Sequence, residues 1–240
     1  MERETRMGMN KTGVQMSPMD VDRMLSDVGE STTAVSDGAG IAAVRTSYIT
    51  EAEPVGTVPM PGTLKGAAKA GAKKLTGKNP EVLIDKLGER LAFERSGTRL
   101  YDALITKYQA TSDKPGQMSA EKLAHIRDEE ARHFKLVAGA IEALGADPTA
   151  QTPGADLTGM ESLGLMQVLD DPRTSLAQCL HAIMVAELAD NAGWDLLIRL
   201  ADEMGQEQMI GDFRGALATE QEHLALIKSW YEQAVRGEAG

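Results

Sequence analysis

Glu130 and His133 form a Glu-x-x-His pair, and Glu220 and His223 form a second. Each pair follows a lone glutamate, Glu94 or Glu187, at nearly the same distance, so the chain reads Glu…Glu-x-x-His…Glu…Glu-x-x-His. Residues three apart on a helix point the same way, so each pair offers one oxygen and one nitrogen ligand to a single centre. Four helices that carry such residues inward build a two-metal carboxylate site in a bundle core. Four glutamates converging in an apolar core would repel one another and lose hydration, and two divalent ions would offset their charge. Mixed carboxylate and imidazole ligation suits iron or manganese, alone or as a mixed Mn/Fe pair, and zinc is also compatible.

The elements that must position these residues are legible in the same stretch. In an antiparallel helix pair, residues equidistant from the turn lie level. The midpoint between Glu94 and the first pair falls near Asp113, inside the turn signal Thr111-Ser112-Asp113-Lys114-Pro115-Gly116. The midpoint between Glu187 and the second pair falls near Met204-Gly205, where glycine suits a helix stop.

Four apolar stripes at helical spacing surround the ligands. The first follows Asn79-Pro80-Glu81, a good helix start, and runs through Ile84, Leu87, Leu91, Glu94, Thr98, Tyr101, Ile105 and Tyr108. The second starts near Ser119 and holds Leu123, Ile126, Glu130, His133, Val137, Ile141 and Leu144. The third is expected from Asp171-Pro172, with Leu176, Leu180, Ile183, Glu187, Asp190, Trp194, Ile198 and Ala201 inward. The fourth, from about Gln206 to Val235, turns Ile210, Phe213, Leu217, Glu220, His223, Ile227, Trp230 and Ala234 inward. The connection from Gly145 to Pro172 is too long for a tight turn and can run the length of a bundle, with a short helix over residues 157–169. The expected fold is therefore all-α: a four-helix bundle of two antiparallel hairpins joined by a long crossover, over residues 80–240.

Composition agrees with this division. Residues 80–240 hold 15 basic and 27 acidic residues, which argues against a nucleic-acid-binding bundle and for a cation-binding one. Residues 1–79 form the other part: residues 1–60 read as a disordered tail, and residues 62–79, with five lysines and no acid, as a solvated linker or a basic arm against an acidic surface. Cys179 is the only cysteine, which excludes an intrachain disulfide and a cysteine-based metal cluster. No apolar run reaches membrane length and no leader-like segment opens the chain, so a cytoplasmic protein is the default expectation. His125 and His181 lack the paired glutamate and are expected to face solvent or to be satisfied locally. The methionines of the tail lack the histidine or cysteine neighbours of a copper site.

The motif Glu129-Glu130-Ala131-Arg132-His133 matches the acidic-Glu-x-Arg-His form of one known family. Residues 80–240 resemble the ferritin-like di-iron carboxylate family, in its bacterioferritin, rubrerythrin and oxygenase-type branch. The second copy, Thr219-Glu220-Gln221-Glu222-His223, departs from that form by having Thr and Glu where the acid and the Arg would sit. The resemblance implies that Glu94 and Glu187 are terminal carboxylates, that Glu130 and Glu220 bridge, and that His133 and His223 ligate one metal each. It also implies that Glu129 accepts a hydrogen bond from His223 across the bundle. Asp190 is then the candidate acceptor for His133, because Thr219 replaces the expected acid.

Three functions fit this reading. The first is an oxidoreductase whose two Fe(II) ions reduce dioxygen or peroxide, with an electron donor that the sequence does not name. The second is an iron-storage protein in an oligomeric shell. The third is a bundle held together by its metal. A homo-oligomer is compatible with the first as well. Tyr101 lies seven residues after Glu94, as Trp194 does after Glu187. It is the catalytic candidate, as a redox tyrosine, beside the plainer reading of a core aromatic with one hydrogen bond.

Overall fold

In a computed structural model, residues 7–10, 12–28, 38–63, 66–68, 71 and 79–239 are described, and they form helices and no strand. Contacts divide the chain into a unit of Thr5–Pro54 and a unit that runs from Val55 to Gly240. The first unit holds a 3₁₀ turn at Val14–Met16 and two helices, α1 (Pro18–Val28) and α2 (Ala39–Glu51), where the sequence reads as structureless. No described side chain of either helix is buried. The five lysines of the linker lie outside the described residues.

The larger unit is built from α3 (Pro80–Ala110), α4 (Ala120–Ala143), α5 (Pro153–Asp170), α6 (Leu176–Glu203) and α7 (Glu207–Ala239). Asn79 and Pro80 open α3 as expected, and the Ser119 hydroxyl caps α4 by accepting from the Lys122 amide at 3.2 Å. Gly205, at φ 64, ends the α6 segment with a left-handed residue that a side chain would resist.

Cross-helix contacts give the chain directions. Tyr108 meets Met118, Asp102 meets Arg127 and Gly97 lies against Glu130, so α3 and α4 are antiparallel. His181 meets Tyr231, Asn191 meets Glu220 and Trp194 meets Phe213, so α6 and α7 are antiparallel. Arg90 meets Asp190 and Lys107 meets Thr174, so α3 and α6 are antiparallel as well, which leaves α4 and α6 pointing the same way.

The helix between them, α5, is longer than the expected 157–169. It starts on Pro153 with Thr152 as its cap and lies along α3, where the Gly154 amide donates to Asp85 Oδ1 at 2.8 Å. It also displaces the expected start of the third bundle helix. Asp171 adopts φ −65 and ψ 118 and ends α5, since a residue before proline is pushed out of the helical region. Pro172 therefore sits in a turn. The helix starts at Leu176, where Ser175 and Gln178 form a reciprocal capping box.

Because α3 packs against α4, α5 and α6, 14 of its 31 residues are buried. Its C-terminal half buries Leu100 and Leu104, while Thr98, Ile105 and Tyr108 of the expected stripe are only half-buried. A strict alternation of three and four drifts around a 3.6-residue helix, and α5 covers a flank that a bare bundle would expose. Two apolar layers result. One holds Leu100, Leu104, Leu123, Ile126, Ile183 and Trp230, and the other Leu83, Leu87, Val137, Trp194, Leu197 and Phe213. Among the described residues no helix is long and apolar enough to cross a membrane.

Candidate metal centre

Between the two apolar layers lies a charged one. Glu94 of α3, Glu130 and His133 of α4, Glu187 and Asp190 of α6, and Glu220 and His223 of α7 are all buried, none more than 7 % exposed. Ligand atoms of Glu130, Glu187, Glu220 and His223 fall within 4.8 Å of one another, and those of Glu94, His133 and Glu220 do the same. All six residues singled out by their spacing therefore converge, as two overlapping groups with Glu220 in both. Glu130 also joins Glu94, Asp190 and Glu220 in a third overlapping group, so it reaches both sides.

Helix backbones leave room for this convergence at one close approach. A Cβ on Gly97 would stand 3.1 Å from Glu130 Cδ and nearer still to its carboxylate oxygen, so only glycine lets that side chain lie against α3. Both imidazoles turn Nδ1 toward the carboxylates. His133 Nδ1 lies 2.5 Å from Glu220 Oε1, and His223 Nδ1 lies 2.9 Å from Glu220 Oε2 and 3.4 Å from Glu130 Oε1.

Neighbouring side chains engage this cluster. His223 Nε2 meets Glu129 Oε2 at 2.9 Å, the partner that the resemblance implies. Glu129 in turn contacts Arg132 at 3.1 Å and His125 at 3.4 Å. Tyr101, 2 % exposed, donates its hydroxyl hydrogen to Glu187 Oε1. Trp194 packs edge-on to His133 at 5.6 Å between ring centroids. His125 is exposed, and His181 is exposed against Tyr231, as expected for the two unpaired histidines.

Asp190 departs from expectation. Its carboxylate is ion-paired with Arg90, a residue that the stripe analysis passed over, rather than serving His133. Arg90 lies one turn before Glu94 and reaches Glu94 Oε1 at 3.4 Å. A guanidinium is a strong attraction for a buried carboxylate, so it takes Asp190. The spacing that carried a signal was Arg90-x-x-x-Glu94, a basic residue four before the ligand on the same face. Thr219, where an acid was expected, bonds back to the Gly215 carbonyl of its own helix at 3.3 Å.

The layer holds more buried carboxylates than positive charges. Burial, together with Asp190 and Glu130, holds Glu94 well above the usual carboxylate range. Burial and neighbouring carboxylates raise Glu130, Glu187 and Asp190 too. Burial would also raise Glu220, but His133 and His223 outweigh it and hold that group low. His223 is correspondingly pushed up to about 11, against its own burial, by Glu130 and Glu220.

The donor set fits a pair of metal ions on one further observation. Glu94 Oε2, Glu130 Oε1 and Glu187 Oε2 are buried atoms that make no hydrogen bond, while Glu220 Oε1 and His133 Nδ1 lie against each other. Buried polar atoms are nearly always satisfied, so orphans gathered at one point call for an explanation, and an ion is one. Comparison with protein-family models, curated proteins and solved structures finds no match to the chain.

Proposed function

We propose that this chain is a ferritin-like di-iron carboxylate protein whose residues 80–240 hold two Fe ions and reduce dioxygen or peroxide. The observation that carries the reading is the set of buried carboxylates and imidazoles that four helices bring together between two apolar layers, three carboxylate oxygens among them making no hydrogen bond. Glu130, Glu187, Glu220 and His223 would hold one ion, and Glu94, His133 and Glu220 the other, with Glu220 and Glu130 shared. Two antiparallel hairpins with an intervening helix along α3 support the family reading over a simple up-down bundle.

When bound, two Fe(II) ions would supply the electron pair that dioxygen or peroxide takes up. The chain's own residues do the rest. Burial strengthens every charge interaction in the layer and excludes water. Tyr101 fixes the orientation of Glu187, and Glu129 fixes the ring of His223. Arg90 gives Asp190 its own counter-charge, so four carboxylates remain to balance two divalent ions. Reduction of the spent ions would require an external electron donor.

The test is anaerobic loading with Fe(II), metal analysis, and then a pulse of dioxygen. Two ions per chain and rapid oxygen consumption with growth of near-ultraviolet ferric absorbance are the expected outcome. A loaded protein inert to oxygen would move the reading to a metal-stabilised bundle. A mineral-filled assembly many times the monomer mass would move it to iron storage.

A further inference from the structure

Glu130, Glu187, Glu220 and His223 form one ligand group, and Glu94, His133 and Glu220, with Glu130 reaching across, form the other. A further residue on the Glu94 side is Asp190, which has a carboxylate oxygen within 4.8 Å of ligand atoms of Glu94, Glu130 and Glu220. Asp190 is instead engaged by Arg90, which contacts both its carboxylate and, at 3.4 Å, its carbonyl.

Arg90 is itself built into place. It is 4 % exposed, lies over the Phe93 ring at 4.4 Å and faces the Trp194 ring at 5.8 Å. A Cβ on Gly193 would stand 2.8 Å from Arg90 Cζ, so α6 gives up a side chain to admit the guanidinium. An arginine stays charged at any working pH and has no lone pair to offer a metal, so it occupies a carboxylate without competing for the ion.

We propose that Arg90 is a positioning residue that withholds Asp190 from the ion on the His133 side, and thereby keeps one coordination position of that ion open to a small exogenous anion or diatomic molecule. The proposal rests on the two-ion reading above. An open position is what separates a reactive metal site from a closed structural one, and here a further carboxylate stands close by but is paired with a cation.

Co(II) loading followed by azide titration, both read by visible absorption, tests this without relying on turnover. Azide should shift the spectrum of the loaded wild type. Arg90→Gln should bind azide about tenfold more weakly or worse, as Asp190 fills the position. Adding Asp190→Asn to Arg90→Gln should restore most of the affinity, a coupling that loss of a merely structural ion pair would not produce. Gly193→Ala, which crowds the guanidinium but keeps its charge, should also weaken azide. A folded Arg90→Gln, or a folded Gly193→Ala, that binds azide like the wild type would overturn the proposal. So would a Co(II)-loaded wild type blind to azide, which leaves the two-ion reading standing. A wild type that takes up no Co(II) would reject both.

Discussion

Gly97→Ala separates site geometry from helix stability in one substitution. Alanine is a better helix former than glycine by about 1 kcal/mol, so propensity alone predicts a more stable α3. The added methyl would, however, stand 3.1 Å from Glu130 Cδ and closer to its oxygen, inside ordinary contact distance. Glu130 cannot retreat freely, because it is 1 % exposed and sits in a packed layer. Overpacking of this kind costs about 1–3 kcal/mol, so the two terms nearly cancel and the metal-free fold should change by no more than about 2 kcal/mol. The ligand geometry has no such compensation. Shifting a carboxylate shared by both ions should cost roughly 10- to 100-fold in metal affinity, by analogy with substitutions that disturb ligand orientation. Thermal melts of the metal-free variant, beside chelator competition with Co(II), measure the two effects separately. Metal affinity equal to wild type in a folded Gly97→Ala would refute the argument that α3 gives way at this point to admit Glu130.

Glu129→Gln should keep both ions but weaken affinity or slow oxidation about tenfold, since His223 loses its charged acceptor; chelator competition and stopped-flow absorbance measure it. Without metal, stability should fall as pH rises above about 4.5, because the buried Glu94, Glu130 and Glu187 have raised pKa values and must lose protons they hold in the fold but not in the unfolded chain. Metal affinity should move the opposite way and rise with pH, as the ions displace those protons; melts and titrations at several pH values would show the crossing, and flat profiles would contradict it. Each Mn(II) site held at about 100 times its dissociation constant should stabilise the fold by about 2.7 kcal/mol and raise the melting midpoint by roughly 5–11 °C, with chelator reversing the gain. Removing residues 1–54 should leave the bundle and its metal capacity intact, as judged by helical circular dichroism and metal analysis, because the larger unit begins at Val55.

The buried cluster is legible because charge interrupts pattern: a glutamate in the middle of an apolar stripe has no ordinary reason to be there. Glu94, Glu187 and the two Glu-x-x-His pairs each stood out in this way, and mirrored spacing about two turns placed them level. Arg90 did not stand out, since an arginine beside a stripe reads as a solvated edge. Its burial depends on Asp190, Gly193 and Trp194, about a hundred residues away, and no local pattern reports such a pairing. Pro172 misled for a related reason. Proline suits both a first helical turn and the end of the preceding helix, and only the docking of α5 along α3 decides between them. Glu129 was found through resemblance, and its exposed neighbours His125 and Arg132 gave no sign of it.

The crowding of α3 carries a consequence for how the protein breathes. Amide hydrogens exchange at rates set by local opening, and helices packed on several sides open last. Helix α3 is enclosed by α4, α5 and α6, whereas α7 is mostly exposed beyond Trp230. Within the bundle, exchange should therefore be slowest around Glu94 and fastest toward the end of α7, beyond Glu220 and His223. Transient opening that admits or releases an ion should then begin by lifting the last turns of α7, while α3 stays folded as the fixed wall of the site.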